Sequence, residues 1–153
     1  MQEVFKNPMN ETFLAKLVAH INRKNWWHCT PRDPLAYRKR GKFLASTYDE
    51  AEFWGRPLDD PQKVAIRNPL VGDEDAIQLV LFGKIAALPE EDDPHVLEWR
   101  FDLDAKMRDA ALEKGYDAIV LFAPRGFATF MATGKIPRSI ELNILNPVEV
   151  KTV

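Results

Sequence analysis

Few residue types in this chain can do chemistry, and they fall in three places. His28-Cys29-Thr30 follows two tryptophans, Ser46-Thr47 ends a short apolar run, and Glu141 is the one acid in the late run Ile140–Leu145. An imidazole, a pair of hydroxyls and a lone carboxylate together can bind a ribose and steady a cation developing beside it. A carboxylate near an anomeric carbon stabilises oxocarbenium-like charge. Each group also has a plain structural reading. His28 can be a core histidine bonded to backbone, Ser46 and Thr47 a helix cap, and Glu141 the exposed side of an edge strand.

Other chemistries fail on spacing. Cys29 adjoins His28, but neighbours on a strand point to opposite faces, so they make a poor nucleophile–base pair. One cysteine and three scattered histidines do not offer a zinc site, so no metal is expected. The acidic run from Pro89 to Pro94 reads as a solvated loop. No glycine-rich phosphate loop or dinucleotide fingerprint is present.

The elements that must position these groups follow from periodicity. Asn10 caps a predicted helix over 10–23, whose stripe is Phe13, Leu14, Leu17, Val18 and Ile21. Residues 25–30 read as a buried strand, Asp33-Pro34 as a helix start and Gly41 as its stop. Lys42 to Ser46 is a second strand. Thr47 and Glu50 have capping-box spacing and open a short helix through Ala51 and Trp54. Val64 to Ile66 reads as a third strand ending at Asn68-Pro69, and Glu74 to Phe82 as a buried helix closed by Gly83. Residues 103–114 give a helix, 117–122 a buried strand, and 125–135 a hairpin or flexible loop. The final strand alternates, with Ile140, Leu142 and Ile144 on one side and Glu141, Asn143 and Leu145 on the other.

The whole chain sets the frame. Its 153 residues suffice for one domain with a real core, and the expected class is α+β. A net charge of −2 gives no global field for nucleic acid. No apolar run approaches the roughly 20 residues that span a bilayer. The N-terminus lacks a secretion pattern and a single cysteine gives no internal disulfide, so a cytoplasmic protein is expected. One cluster departs from this blandness. Arg38, Lys39, Arg40 and Lys42, with Tyr37 and Trp26 or Trp27 nearby, have the types that contact phosphates and stack on bases.

In order and spacing, several segments resemble the ADP-ribosyltransferase-like superfamily, particularly small bacterial and phage members. They are His28-Cys29-Thr30, then Gly41 through Thr47 with Ala51, then Asn68-Pro69-Leu70. Gly115-Tyr116-Asp117 with its apolar strand follows, and last comes Glu141 through Asn146-Pro147 to Val150. The resemblance covers roughly residues 26–150. It implies a transferase-like domain (25–153) with a split β-sheet core that binds NAD as substrate; the N-terminal helix (1–24) lies outside the resemblance and is expected to pack on that domain.

It further implies that His28 and Glu141 are catalytic. His28 would contact the adenosine-side ribose, Thr30 would belong to the same NAD-binding set, and Ser46 and Thr47 would shape the nicotinamide pocket. Glu141 would hold the nicotinamide ribose. The aromatic that such proteins stack on nicotinamide falls on Ala45 here, leaving Phe43 or Tyr48 to substitute. Ser139 stands where members that modify arginine or asparagine carry Glu or Gln. The implied activity is NAD-dependent ADP-ribosyl transfer, or NAD hydrolysis, with a protein or nucleic-acid acceptor unspecified. The alternative is a catalytically degenerate version that binds a protein or nucleic-acid partner.

Overall fold

The structure, a computed structural model, describes residues 9–28, 35–46, 61–90 and 92–146. Cys29, Thr30, Asp33-Pro34 and the helix expected from Thr47 to Gly55 lie outside them. The described residues form a single α+β domain of five helices around a five-stranded mixed sheet.

The first helix, α1 (Glu11–Arg23), begins where the sequence predicts. The Asn10 side chain accepts from the Thr12 and Phe13 amides, and Leu17 and Ile21 of its stripe are fully buried. Strand β1 (Trp27–His28) is short, and α2 (Ala36–Arg40) ends at Gly41 before β2 (Lys42–Ala45). Next come β3 (Pro69–Gly72), α3 (Glu74–Phe82), capped by Asp73 and closed by left-handed Gly83, and α4 (Val96–Glu113). The chain continues through β4 (Ala118–Leu121), α5 (Pro124–Thr133) and β5 (Glu141–Ile144). No helix among the described residues is long and apolar enough to cross a membrane.

Spatial order in the sheet is β1-β2-β5-β4-β3, so the last strand in sequence is the central one. All pairings are antiparallel except β3 with β4, joined by the crossover through α3 and α4. Directly opposed residues share a face, which sorts the sheet into two layers. Leu44, Leu142, Val120 and Val71 form one row and join α1 and α5 through Leu17, Ile21 and Phe130. On the other face Leu70 and Ile119 pack under α3 and α4, against Ile77, Leu81, Leu103 and Met107. The two segments that flank the parallel pair are tied by Asp117, whose carboxylate accepts from the Arg67 and Asn68 amides.

Three elements differ from expectation. Residues 64–66 are not a strand: Val64 and Ile66 are buried, but the Asn22 side-chain amide takes both the N–H and the C=O of Ile66. The ladder begins instead at Pro69, a tolerated residue at the start of an edge strand. Residues 124–133 are a helix rather than a hairpin or loop. Pro124 enters at its first turn, Phe127 and Phe130 reach the core, and Gly134 closes it at φ 77°. Finally, α4 begins at Val96, seven residues before position 103; these first turns are largely exposed, with Trp99 packed against the cluster of Leu103 and Met107.

Candidate functional site

Glu141 opens the central strand, opposite Ala45 on one side and Leu121 on the other. It is therefore hemmed in by two strands and half-buried, not the outer face of an edge. Along the same row, Gly72 lies beyond Leu121. The missing side chain there leaves room for α3: a β-carbon on Gly72 would come within 3.1 Å of the Ala76 methyl. The first turn of α3 is thereby brought over the sheet toward Glu141.

Two cavities meet at this carboxylate. One is an open cleft of about 460 Å³, with acidic walls from Asp73, Glu74, Asp75 and Glu141 and an apolar side from Leu121, Phe122, Ala123 and Pro124. Ser139 stands on its rim. The other is a cavity of about 20 Å³ beneath it, between the sheet and α4, room for about one water. Phe43, Asn143, Arg100, Asp104 and Met107 line it, and Glu74 and Glu141 face both spaces.

The floor of the inner cavity is an ionic network. Arg100 donates to Glu74 through Nη1 and to Asp104 through Nη2 at 2.9 Å, one turn along α4. Burial works against the Arg100 charge, but Asp104 and Glu74 outweigh it and hold the guanidinium firmly protonated. For Asp104 burial prevails: it pushes the carboxyl up from the ordinary aspartate value, with Glu74 adding to the push and Arg100 and Arg40 opposing it. Nearby, Asn143 is buried and donates through Nδ2 to the Arg40 carbonyl at 2.9 Å. Among the described residues, its Oδ1 has no hydrogen-bond partner.

The sequence-derived residues are distributed unevenly around this site. Phe43 shares the face of Glu141 and lines the inner cavity. Ser46 adjoins it through the ladder, but its hydroxyl donates to the Arg138 carbonyl at 3.2 Å and accepts from the Ile140 amide at 3.1 Å. It thus fastens the end of β2 to the residue preceding Glu141. His28 is opposite Leu44, one residue out of phase with the Ala45–Glu141 row, so its ring lies on the other face of the sheet. There Nδ1 is 2.9 Å from the Phe43 carbonyl and Nε2 is 2.6 Å from the Tyr37 hydroxyl. A carbonyl only accepts, so Nδ1 carries the hydrogen, and in the neutral ring Nε2 accepts from Tyr37. Thr30, Thr47 and Tyr48 lie outside the described residues.

The basic cluster does not form one face. Arg38 and Lys39 are exposed, but Arg40 sits 3.9 Å above the Phe101 ring and Lys42 donates to Gln62 at 2.6 Å. Trp26 is fully buried, donating to the Ile21 carbonyl, and offers no stacking surface. Around the described residues, no group of three or more His, Cys, Asp or Glu is arranged to hold a metal ion.

Sequence reasoning missed Glu74, Arg100 and Asp104. One signal was available. Asp104 stands between Leu103 and Met107 on the buried side of a helix, with an arginine four residues before it. That is the spacing of a paired, inward-facing carboxylate. Comparison with family models, curated proteins and solved structures finds no match to this chain.

Proposed function

We propose that this protein cleaves the N-glycosidic bond between ribose and nicotinamide in NAD and passes ADP-ribose to an acceptor, a macromolecule or water. The observation that carries the reading is the placement of Glu141: a carboxylate fixed at the start of the central strand, facing a cleft of about 460 Å³ with acidic walls and an apolar side. That volume is in the range of small-molecule sites. The leaving group of NAD is a cationic pyridinium, and the ribosyl centre becomes more cationic as the bond lengthens. Carboxylates already positioned around that charge favour the transition state over the ground state. The apolar side suits the flat ring.

The chain's residues then divide the work. Glu141 faces the ribosyl centre, and Ser46 holds the strand end that positions it. His28 braces β1 against β2 and α2 from the opposite face, a structural role in place of the ribose contact implied by the resemblance. The order of segments that resembles ADP-ribosyltransferases supports the same chemistry, and NAD with a single cysteine fits a cytoplasmic setting. The non-enzymatic alternative has less support, since Arg40, Lys42 and Trp26 are all turned to intramolecular contacts.

The test is release of nicotinamide from NAD, followed chromatographically. Glu141→Gln keeps the shape and removes the charge, and is expected to lower the rate by roughly 10²–10³-fold while NAD still binds. No nicotinamide release from the wild-type protein at millimolar NAD would refute the proposal.

A further inference from the structure

We propose that Glu74 is the general base that activates the attacking nucleophile, so that the site works with two carboxylates of separate roles. The inference rests on the NAD-cleaving reading above. Glu74 and Glu141 are the two acidic residues that face both the open cleft and the inner cavity. They approach from different elements, Glu141 from β5 and Glu74 from the first turn of α3. Gly72 and Glu141 stand in one row with only Leu121 between them. Strands spaced ~4.8 Å apart set those two backbones on the order of 10 Å from each other, with Glu74 two residues beyond Gly72. In glycosidic cleavage a pair of carboxylates at the reacting centre divides charge stabilisation from proton removal.

Glu74 also has what a base requires, an orienting partner and access to solvent. Arg100 holds its carboxylate and is itself anchored by Asp104, while the Glu74 side chain keeps 41% of its exposure. In the proposed step the C1′–N bond breaks and nicotinamide leaves neutral with the bonding pair. A water or acceptor hydroxyl forms the C1′–O bond, and its proton passes to Glu74 and then to solvent.

An anionic nucleophile supplies the test, because it has no proton to lose. Glu74→Gln preserves the length and the oxygen that accepts from Arg100. Its nicotinamide release is expected to fall about 10²-fold, with NAD binding and the melting temperature retained. Added azide should bring the rate back to within about tenfold of wild type and give 1-azido-ADP-ribose by mass spectrometry. Glu141→Gln should show no such rescue. A Glu74→Gln variant as fast as wild type, or slow and unmoved by azide, overturns the assignment and leaves the NAD reading intact. A wild-type protein that releases no nicotinamide overturns both.

Discussion

Gly41 is the position at which a single methyl group should do the most damage to the site's frame. It joins α2 to β2 with φ 87° and ψ −175°, a conformation essentially confined to glycine. A β-carbon added there would also lie 2.7 Å from the Ile144 carbonyl and closer still to Asn143 Oδ1. Both neighbours belong to β5, the strand that carries Glu141. The conformational cost is about 1–3 kcal/mol, and overpacking against a ladder carbonyl that cannot move freely adds about 1–3 kcal/mol. Gly41→Ala should therefore lose roughly 4 kcal/mol. At about 2–4 °C per kcal/mol for a chain of this size, its melting temperature should fall by roughly 8–16 °C. Gly83→Ala is the matched control. Its φ is 72°, and nothing lies within 4 Å of an added β-carbon, so only the backbone term of about 1–2 kcal/mol applies. Thermal unfolding by circular dichroism compares the two directly. Equal losses would refute the claim that close contact with β5 dominates at Gly41. Asn143→Ala should relieve part of the Gly41→Ala defect but not all, since the Ile144 carbonyl remains.

The ionic network gives two further expectations. Arg100→Leu leaves the Asp104 carboxylate buried without its main counter-charge and should cost roughly 3 kcal/mol in urea unfolding, whereas replacing both residues by leucine should cost less than Arg100→Leu alone. Asp104 also sets a pH signature. Its folded carboxyl holds a proton more tightly than the unfolded one, so its stabilising share is complete below the ordinary aspartate value and is lost as pH rises through the raised folded value. Stability measured across that window should decline for the wild type relative to Asp104→Asn, and parallel curves would count against the raised value.

Much of the scaffold was legible because local signals and tertiary packing agree there. Asn10, the α1 stripe, Gly41, Gly83 and the alternation of 140–145 all read correctly, since caps and face periodicity act over a few residues. Residues 64–66 misled because Asn22, 44 residues away, supplies the hydrogen bonds that a neighbouring strand would have given. Residues 124–133 misled because Gly126 and Gly134 look like turn residues. Gly134 is in fact a helix cap, beneath the Phe13 ring, and Gly126 sits beside Pro137. Within the site, Glu141 was visible as a lone acid in an apolar run. Its relation to His28 was not, since strand phase between β1 and β5 depends on the registers of two ladders. The Arg100–Asp104 pair left a local trace in its four-residue spacing, but its meeting with Glu74, 26 residues away on another helix, depends on how α3 and α4 pack.

The position of β5 also has a consequence for biosynthesis. The strand bearing Glu141 is translated last of the five yet belongs in the middle of the sheet, and the bond from the Ile140 amide to Ser46 spans 94 residues. Until residue 144 emerges, β2 and β4 have no partner on their inner edges, and the cleft has no central carboxylate. The nascent chain thus passes through a stage with two sticky edges, open to aggregation or chaperone capture. A chain that stops before the last strand lacks both Glu141 and the strand that joins β2 to β4.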